Sequence, residues 1–553
     1  MKVRTHRRLA LALLAPALAA ATAACSSSGS NAGAAPTGGN ISKIAAGKVL
    51  TGTAKNDVDS VTWYGDYRPL YTLDPLKLAD YPEETVIPNL CEPMLRVAPD
   101  YKISTGAVAY EQPDATHLVL TLQPGVTFSD GTAVTADDVA FSIQRNLDPK
   151  VLSNYYPAFA NVAKVAVTGD RTVTLTMAKP DYTVVSALST VAGAIVKKAF
   201  VERTGDSFGA PNVGVMCTGP FSFASYDGTS KLVLTRNEHY WDTAHRAHVK
   251  TFTFQFPADP GALANALASG EIQGAMNVPT NLATTLKSAT NGKMYVGSEG
   301  STPINIDVLM TRSTGTLAAP KVRQALSMAL DRKAIAAQIF HGLADPLYRV
   351  AGPGTWGYAR DTFAADYAKL PKTPDVTAAA KLVDEAGAKG ASAVFAYPSG
   401  DPQSAQLATV LQQTAKQIGL NLQIKALPLQ QYGNLFSSPK ARAAYDAILT
   451  KNYVETPDPL LMDRLYGGTG GGTNFSGYSN ADVDAHIAEA TATSDPAARA
   501  AAILAAEHQL DQDLPSIPVV GQRALVFVSD NLTGAPLTFA YMSAPWAAQI
   551  GAE

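Results

Sequence analysis

The stretch 120-LTLQPGVTFSDGTAVTADDVAFSIQR-145 reads as strand, turn and helix. Leu120 and Leu122 belong to an apolar/polar alternation that starts near Leu118, the period-2 pattern of a half-buried strand. Pro124-Gly125 and Asp130-Gly131 are turn dipeptides. Thr135 stands where a helix N-cap is needed, with Asp137 and Asp138 in the first turn, where the helix dipole favours negative charge. Val139 and Ile143 carry the apolar stripe of the helix that follows. The stretch holds no base, nucleophile or metal cluster, so its value lies in what it says about architecture.

At 553 residues the chain is too long for one core, and two or three domains are expected. Hydrophobic content of 46% and charged content of 16% describe an ordinary globular composition. The N-terminus reads as a targeting segment. Lys2, Arg4, Arg7 and Arg8 are its positive region, Leu9 to Ala21 its apolar region, and Thr22-Ala23-Ala24-Cys25 its small-residue cleavage site. The apolar run is short for a membrane span. Cys25 directly after Ala-Ala resembles a bacterial lipobox, in which that Cys becomes the lipidated first residue; plain secretion is the alternative. Removing residues 1–24 deletes four basic residues and no acid, taking the net charge from −3 to −7. A mildly acidic protein has no electrostatic footprint for nucleic acid. Residues 26–50 are rich in Ser, Gly and Ala and read as a flexible tether. Cys91 and Cys217 form an even pair in an exported chain, either a disulfide or two buried thiols.

Further motifs follow in order. They include 89-NLCEPMLRV-97, 213-VGVMCTGPFSF-223 leading to 237-NEHYW-241, and 268-ASGEIQ-273. Then come 320-PKVRQALSMALDRKAI-335, 377-TAAAKLVDEAG-387, 475-FSGYSNADVDAHI-487 and 509-QLDQDLPSIPVV-520. Together with the opening stretch they closely resemble the signatures of extracellular solute-binding proteins of the peptide/nickel type (family 5). These are substrate-binding lipoproteins of ABC importers and include dipeptide- and oligopeptide-binding proteins. The resemblance covers roughly residues 60–525.

It implies an α/β, two-lobed fold of the periplasmic-binding-protein kind, with a ligand cleft between the lobes. The first lobe would take 51–95, 200–307 and 513–553, with 509–520 as the strand returning to it. A subdomain would be inserted over 96–199, and the second lobe would span 308–512. It also places Cys91 and Cys217 in one lobe, at positions where the family has other residues, which favours the disulfide. In the family's peptide receptors an acid three positions before an Asp-Pro pairs with the ligand's ammonium, and Glu455, ahead of Asp458-Pro459, stands there. A charge-assisted pair in a partly dry cleft suits a free amine. Tyr453 lies beside it. Glu83, Glu84 and Thr85 form an acidic lip where relatives run along the ligand, and Tyr155, Tyr156 and Phe159 lie where an aromatic touches it. Tyr432 suits stacking.

The function implied is capture of di- to oligopeptides and delivery to membrane permease subunits by a monomer anchored outside the cytoplasm. No cofactor, metal or catalysis is expected. An oligosaccharide, haem or nickel chelate on the same fold, or an envelope regulatory lipoprotein, are the alternatives. Two motifs point elsewhere. Gly205 to Gly209 spells GxSxG, but a nucleophile elbow needs a strand before it, and 196-VKKAFVERT-204 reads as helix. His239, Asp242, His245 and His248 recur every three residues, yet span a strand end and a loop.

Overall fold

The structure is a computed structural model that describes residues 44–47, 49–77 and 80–553. The expected leader 1–25 with Cys25, and the tether over 26–43, lie outside the described residues.

The opening stretch folds as a strand, His117–Leu122, in which Leu118, Leu120 and Leu122 are buried, and a helix, Ala136–Leu147. The Thr135 hydroxyl accepts from the Asp138 amide while the Asp138 carboxylate accepts from the Thr135 amide, a reciprocal box that satisfies two otherwise free donors. Gly131 turns the chain with φ +81°, a conformation that suits Gly after Asp130. The strand pairs on both sides within a four-stranded antiparallel sheet ordered 108–114, 117–122, 172–177, 162–169.

Two larger sheets organise the rest. An eight-stranded mixed sheet has Val58–Tyr64 near its middle, flanked in parallel by Val249–Gln255 and Gly274–Ala275. A six-stranded sheet has Asn305–Met310 between Ser516–Gln522 and Ala447–Asn452, antiparallel to both. The first core runs without a break from the four-stranded sheet into the eight-stranded one, through Leu118, Leu175, Phe221, Trp63 and Trp546. Val308, Leu326, Phe395, Leu411 and Val519 build the second core. The chain passes between the large sheets twice, over 297–304 and 523–524. Those passages are tied together: the Ala524 amide donates to the Ser301 hydroxyl, and the Gly297 amide donates to the Ala524 carbonyl.

Two boundaries differ from the sequence expectation. The strand Ser516–Gln522 belongs to the second sheet, because Ile517, Val519 and Val520 pack into the second core. The return to the first lobe is made by Leu525–Ser529, so that crossing falls at 523, not 513. Residues before 51 also belong to the first lobe. Ile44 is buried beside Met294 and Leu525, and Ala45–Ala46 pairs in parallel with Tyr295 and Val296.

Cys91 and Cys217 form a disulfide, their Cα atoms 4.9 Å apart across 126 residues of sequence. The other two motifs carry no site. Gly205–Ser207 is a 3₁₀ turn that follows the helix Lys198–Thr204, with Ser207 exposed. His245 pairs with Asp242, and His248 with Asp57. Among the described residues no group of three His, Cys, Asp or Glu is placed to hold a metal.

Candidate functional site

The helix Tyr81–Leu90 starts at Asp80, whose carboxylate caps the Tyr81 amide. Pro82 fits the first turn, where no amide donor is needed, and Glu83 and Glu84 sit there beside the positive end of the dipole. Both glutamates are fully buried. They face different ways. Glu83 receives two hydrogen bonds from the Arg68 guanidinium, at 2.8 and 2.9 Å, and a third from the Tyr71 amide. Glu84 has no basic partner among the described residues.

What surrounds Glu84 comes from distant chain. The Tyr155 hydroxyl donates to one carboxylate oxygen at 2.5 Å. The Tyr453 hydroxyl, from the second lobe, donates to the other at 2.9 Å. Tyr453 and Glu455 leave the end of the strand Ala447–Asn452, in the loop before the helix Pro459–Tyr466. The Glu84 and Glu455 carboxyls lie close enough to act on each other's proton affinity. Burial pushes Glu84 well above the ordinary glutamate range, and the Glu455 charge adds to it against the two tyrosine hydrogen bonds. Burial raises Glu455 as well. Two carboxyls so placed cannot both ionise cheaply without a cation between them.

Aromatic rings wall this pair. Tyr81 meets Tyr453 at 4.8 Å between centroids, Tyr453 meets Phe539 at 5.0 Å, and Phe539 meets Tyr541 at 5.4 Å. Behind them lies Asp66, at the end of the central strand Val58–Tyr64 and 5% exposed. Burial pushes its carboxyl up to about 7, opposed by hydrogen bonds from the Tyr67 amide and the Asn277 side chain.

Of the residues singled out from sequence, Glu84, Tyr155, Tyr453 and Glu455 therefore meet in one cluster. The others are placed elsewhere. Glu83 and Glu84 form a buried helix turn, not an exposed lip. Thr85 spends its hydroxyl on the Tyr81 carbonyl and its own carbonyl on the Trp546 indole. Phe159 is fully buried in the first core, Tyr156 is 52% exposed, and Tyr432 packs with Leu435, Met462 and Phe436 in a separate apolar cluster. Tyr81, Asp66, Phe539 and Tyr541 join the site without a sequence signal of their own. The nearest hint is Gly65-Asp66 ending the strand Val58–Tyr64.

The pattern of bacterial extracellular solute-binding proteins, family 5, middle region, matches residues 85–473. The chain belongs to this family. The family 5 protein is 26% identical over 446 residues to the glutathione-binding protein GsiB of Escherichia coli K12, covering 79% of this chain and 82% of that one. Its fold is shared with the murein tripeptide-binding protein MppA of Escherichia coli, with TM-score 0.75 and 21% identity over 90% of this chain and 99% of MppA. It is shared equally with the oligopeptide-binding protein AppA of Bacillus subtilis, solved with a nonapeptide, with TM-score 0.76 and 19% identity over 90% of this chain and 99% of AppA. Family 5 proteins are non-enzymatic binding proteins of extracytoplasmic solutes; those of ABC importers bind small ligands and work with permease subunits. Among the described residues no helix is long and apolar enough to cross a membrane.

The family 5 protein also buries an ionic cluster that has a structural task. Arg349 donates to Asp366, Glu507 and Asp511, joining the chain after the strand Ala344–Pro346 to the helices Arg360–Tyr367 and Pro496–Asp513. Arg349→Met is expected to destabilise the fold by about 3 kcal/mol at neutral pH, because it strands buried carboxylates. Urea unfolding should show the deficit shrinking as pH falls and those carboxyls take up protons.

Proposed function

We propose that this protein captures short peptides by their free ammonium group and delivers them to an ABC permease. The observation that carries the reading is the Glu84–Glu455 pair: two raised carboxyls, one from each lobe, walled by tyrosines and lacking a basic partner among the described residues. An ammonium between them offsets their repulsion and gains charge-assisted hydrogen bonds. Because Glu84 belongs to the first lobe and Glu455 to the second, a cation held by both favours the closed arrangement of the lobes. The Tyr453 hydroxyl already bridges the lobes through Glu84. The similarity to glutathione-, murein tripeptide- and oligopeptide-binding proteins supports a peptide ligand.

Native mass spectrometry of residues 26–553, followed by identification of what leaves on denaturation, tests the reading. Short peptides are the expected result. A sugar ladder, a haem or a metal chelate would replace the ligand while keeping the family, and an empty protein unmoved by peptides or sugars in thermal shift would favour an envelope regulatory role.

The reading includes export as a monomer anchored through lipidated Cys25. Cys25→Ser is expected to move the protein from the detergent-rich to the aqueous phase on cloud-point partition, with the fold unchanged by circular dichroism.

A further inference from the structure

The lobes also meet through chain that takes no part in the crossings at 297–304 and 523–524. On the first-lobe side stands the loop 178–183, which joins the strand Thr172–Met177 to the helix Val184–Leu188. On the second-lobe side stands the last turn of the helix Ala481–Ala492. The Tyr182 amide donates to the Thr491 carbonyl at 2.9 Å. Neither element carries chain from one lobe to the other, so this contact exists only while the lobes stand together.

Both partners are set in place by their own lobe. Thr491 is 5% exposed, and the last carbonyls of a helix find no amide inside it. An amide of the other lobe supplies one here. The Thr491 hydroxyl donates to the Ile487 carbonyl and accepts from the Arg464 guanidinium, each at 2.7 Å, which ties it to the last turn of the helix Pro459–Tyr466. The facing loop is fixed through Asp181, which is buried. Its carboxylate accepts from the Thr183 amide and hydroxyl, both at 2.7 Å, and from Asn161 at 2.8 Å. Its amide donates to the Ala115 carbonyl, and its carbonyl accepts from Gln112. These bonds run to Gln112 in one edge strand of the four-stranded sheet and to Asn161 at the start of the other. A donor and an acceptor already held in place lose little freedom on meeting, so their bond is left to favour closure. Charge acts in the same sense. Asp458, an acid of the second lobe, is taken by Arg499. Burial pulls the pKa of Arg464 down, and the charge of Asp181 in the first lobe opposes that pull.

We propose that Tyr182 of the first lobe, with Thr491 and Arg464 of the second, forms a clasp that holds the lobes closed before a ligand arrives and so sets the affinity for whatever the cleft takes. The clasp rests on the closing motion of the reading above and not on the ligand being a peptide. A contact made only in the closed arrangement shifts the balance by its own free energy. A ligand that needs that arrangement binds in proportion to the fraction already closed, so loosening the clasp weakens every such ligand by one factor.

Pulsed electron-resonance distances between nitroxides at Asp170→Cys and Lys389→Cys, exposed positions on the two lobes, read the closed fraction of residues 26–553 refolded from guanidinium to strip any ligand. The labelled parent is expected to show mainly the shorter separation. Tyr182→Pro removes the amide donor and should lower the closed-to-open ratio by about three- to tenfold, the worth of one hydrogen bond. Tyr182→Ala keeps the donor and should leave the ratio near that of the parent. Arg464→Gln, on the other lobe, should lower it as Tyr182→Pro does, and carries the test if the proline variant fails to fold. A parent that is mainly open, or a ratio unmoved by Arg464→Gln and Tyr182→Pro alike, overturns the clasp. A ratio lowered as far by Tyr182→Ala as by Tyr182→Pro overturns the assignment to the amide. With no ligand present, each of these outcomes is separate from the fate of the peptide reading, which the mass spectrum decides.

Discussion

Glu84→Gln is expected to weaken binding of an ammonium-bearing ligand by between roughly 30-fold and several thousand-fold, the ~2–5 kcal/mol lost when one member of a buried charge contact is removed. Glu455→Gln should act in the same direction. The double variant should cost less than the two added together, because both carboxyls hold one cation. The effect on the fold has the opposite sign. Glu84 has a folded-state pKa raised above the usual 4.5, so the unfolded chain loses its proton first as pH rises. Glu84 therefore leaves stability untouched below about 4.5, and withdraws it progressively above that, until the folded carboxyl ionises too. Glu84→Gln removes this penalty, and the variant should melt higher than the wild type at neutral pH and alike at pH 4. Ligand binding should release protons over the same window and tighten with rising pH, which titration in buffers of different ionisation enthalpy reads directly. A Glu84→Gln protein that binds normally and melts lower would show a structural carboxyl and end the proposal.

The sequence made some of this legible and concealed the rest for physical reasons. Local chemistry showed well. Thr135 with Asp138, and Gly131 at φ +81° after Asp130, each do in the fold what their types do in any chain. Boundaries between lobes showed poorly. Ile517, Val519 and Val520 are as apolar as Leu525 and Phe527, and nothing in their pattern says which core each run joins. Glu84, Tyr155, Tyr453 and Glu455 could be nominated because motifs flank them. Glu83 differs from Glu84 only by one step around a helix, some 100° of rotation, and that step turns it toward Arg68. Asp66, Phe539 and Tyr541 lie outside every motif. Their role depends on tertiary placement by the central strand and the C-terminal chain, which one-dimensional spacing does not encode.

Opening the Cys91–Cys217 bridge should produce the reverse pattern to Glu84→Gln: a large loss of stability and a small loss of affinity. The bridge closes 126 residues of chain, which in the chain-entropy account stabilises the fold by about 5 kcal/mol. Both cysteines lie in the first core, 0% and 2% exposed, so Cys91→Ala with Cys217→Ala avoids burying new hydroxyls there. The second core shares none of that loop. Scanning calorimetry should accordingly show the transition of the first lobe moving down while unfolding of the second lobe holds its own temperature. Cys91 also ends the helix that carries Glu84, a covalent path from the bridge to the site. The helix has other ties, however. The Gly219 amide donates to the Leu90 carbonyl, the Ala547 amide to the Asn89 side chain, and the Trp546 indole to the Thr85 carbonyl. These hold the helix from the residue after Glu84 to its last turn without help from sulfur. Affinity measured well below the melting temperature should therefore change by less than about threefold, under ~1 kcal/mol. A collapse of affinity at a temperature where the first lobe is still folded would mean that the disulfide positions Glu84, and the helix would then have to be read as part of the binding machinery down to its last turn.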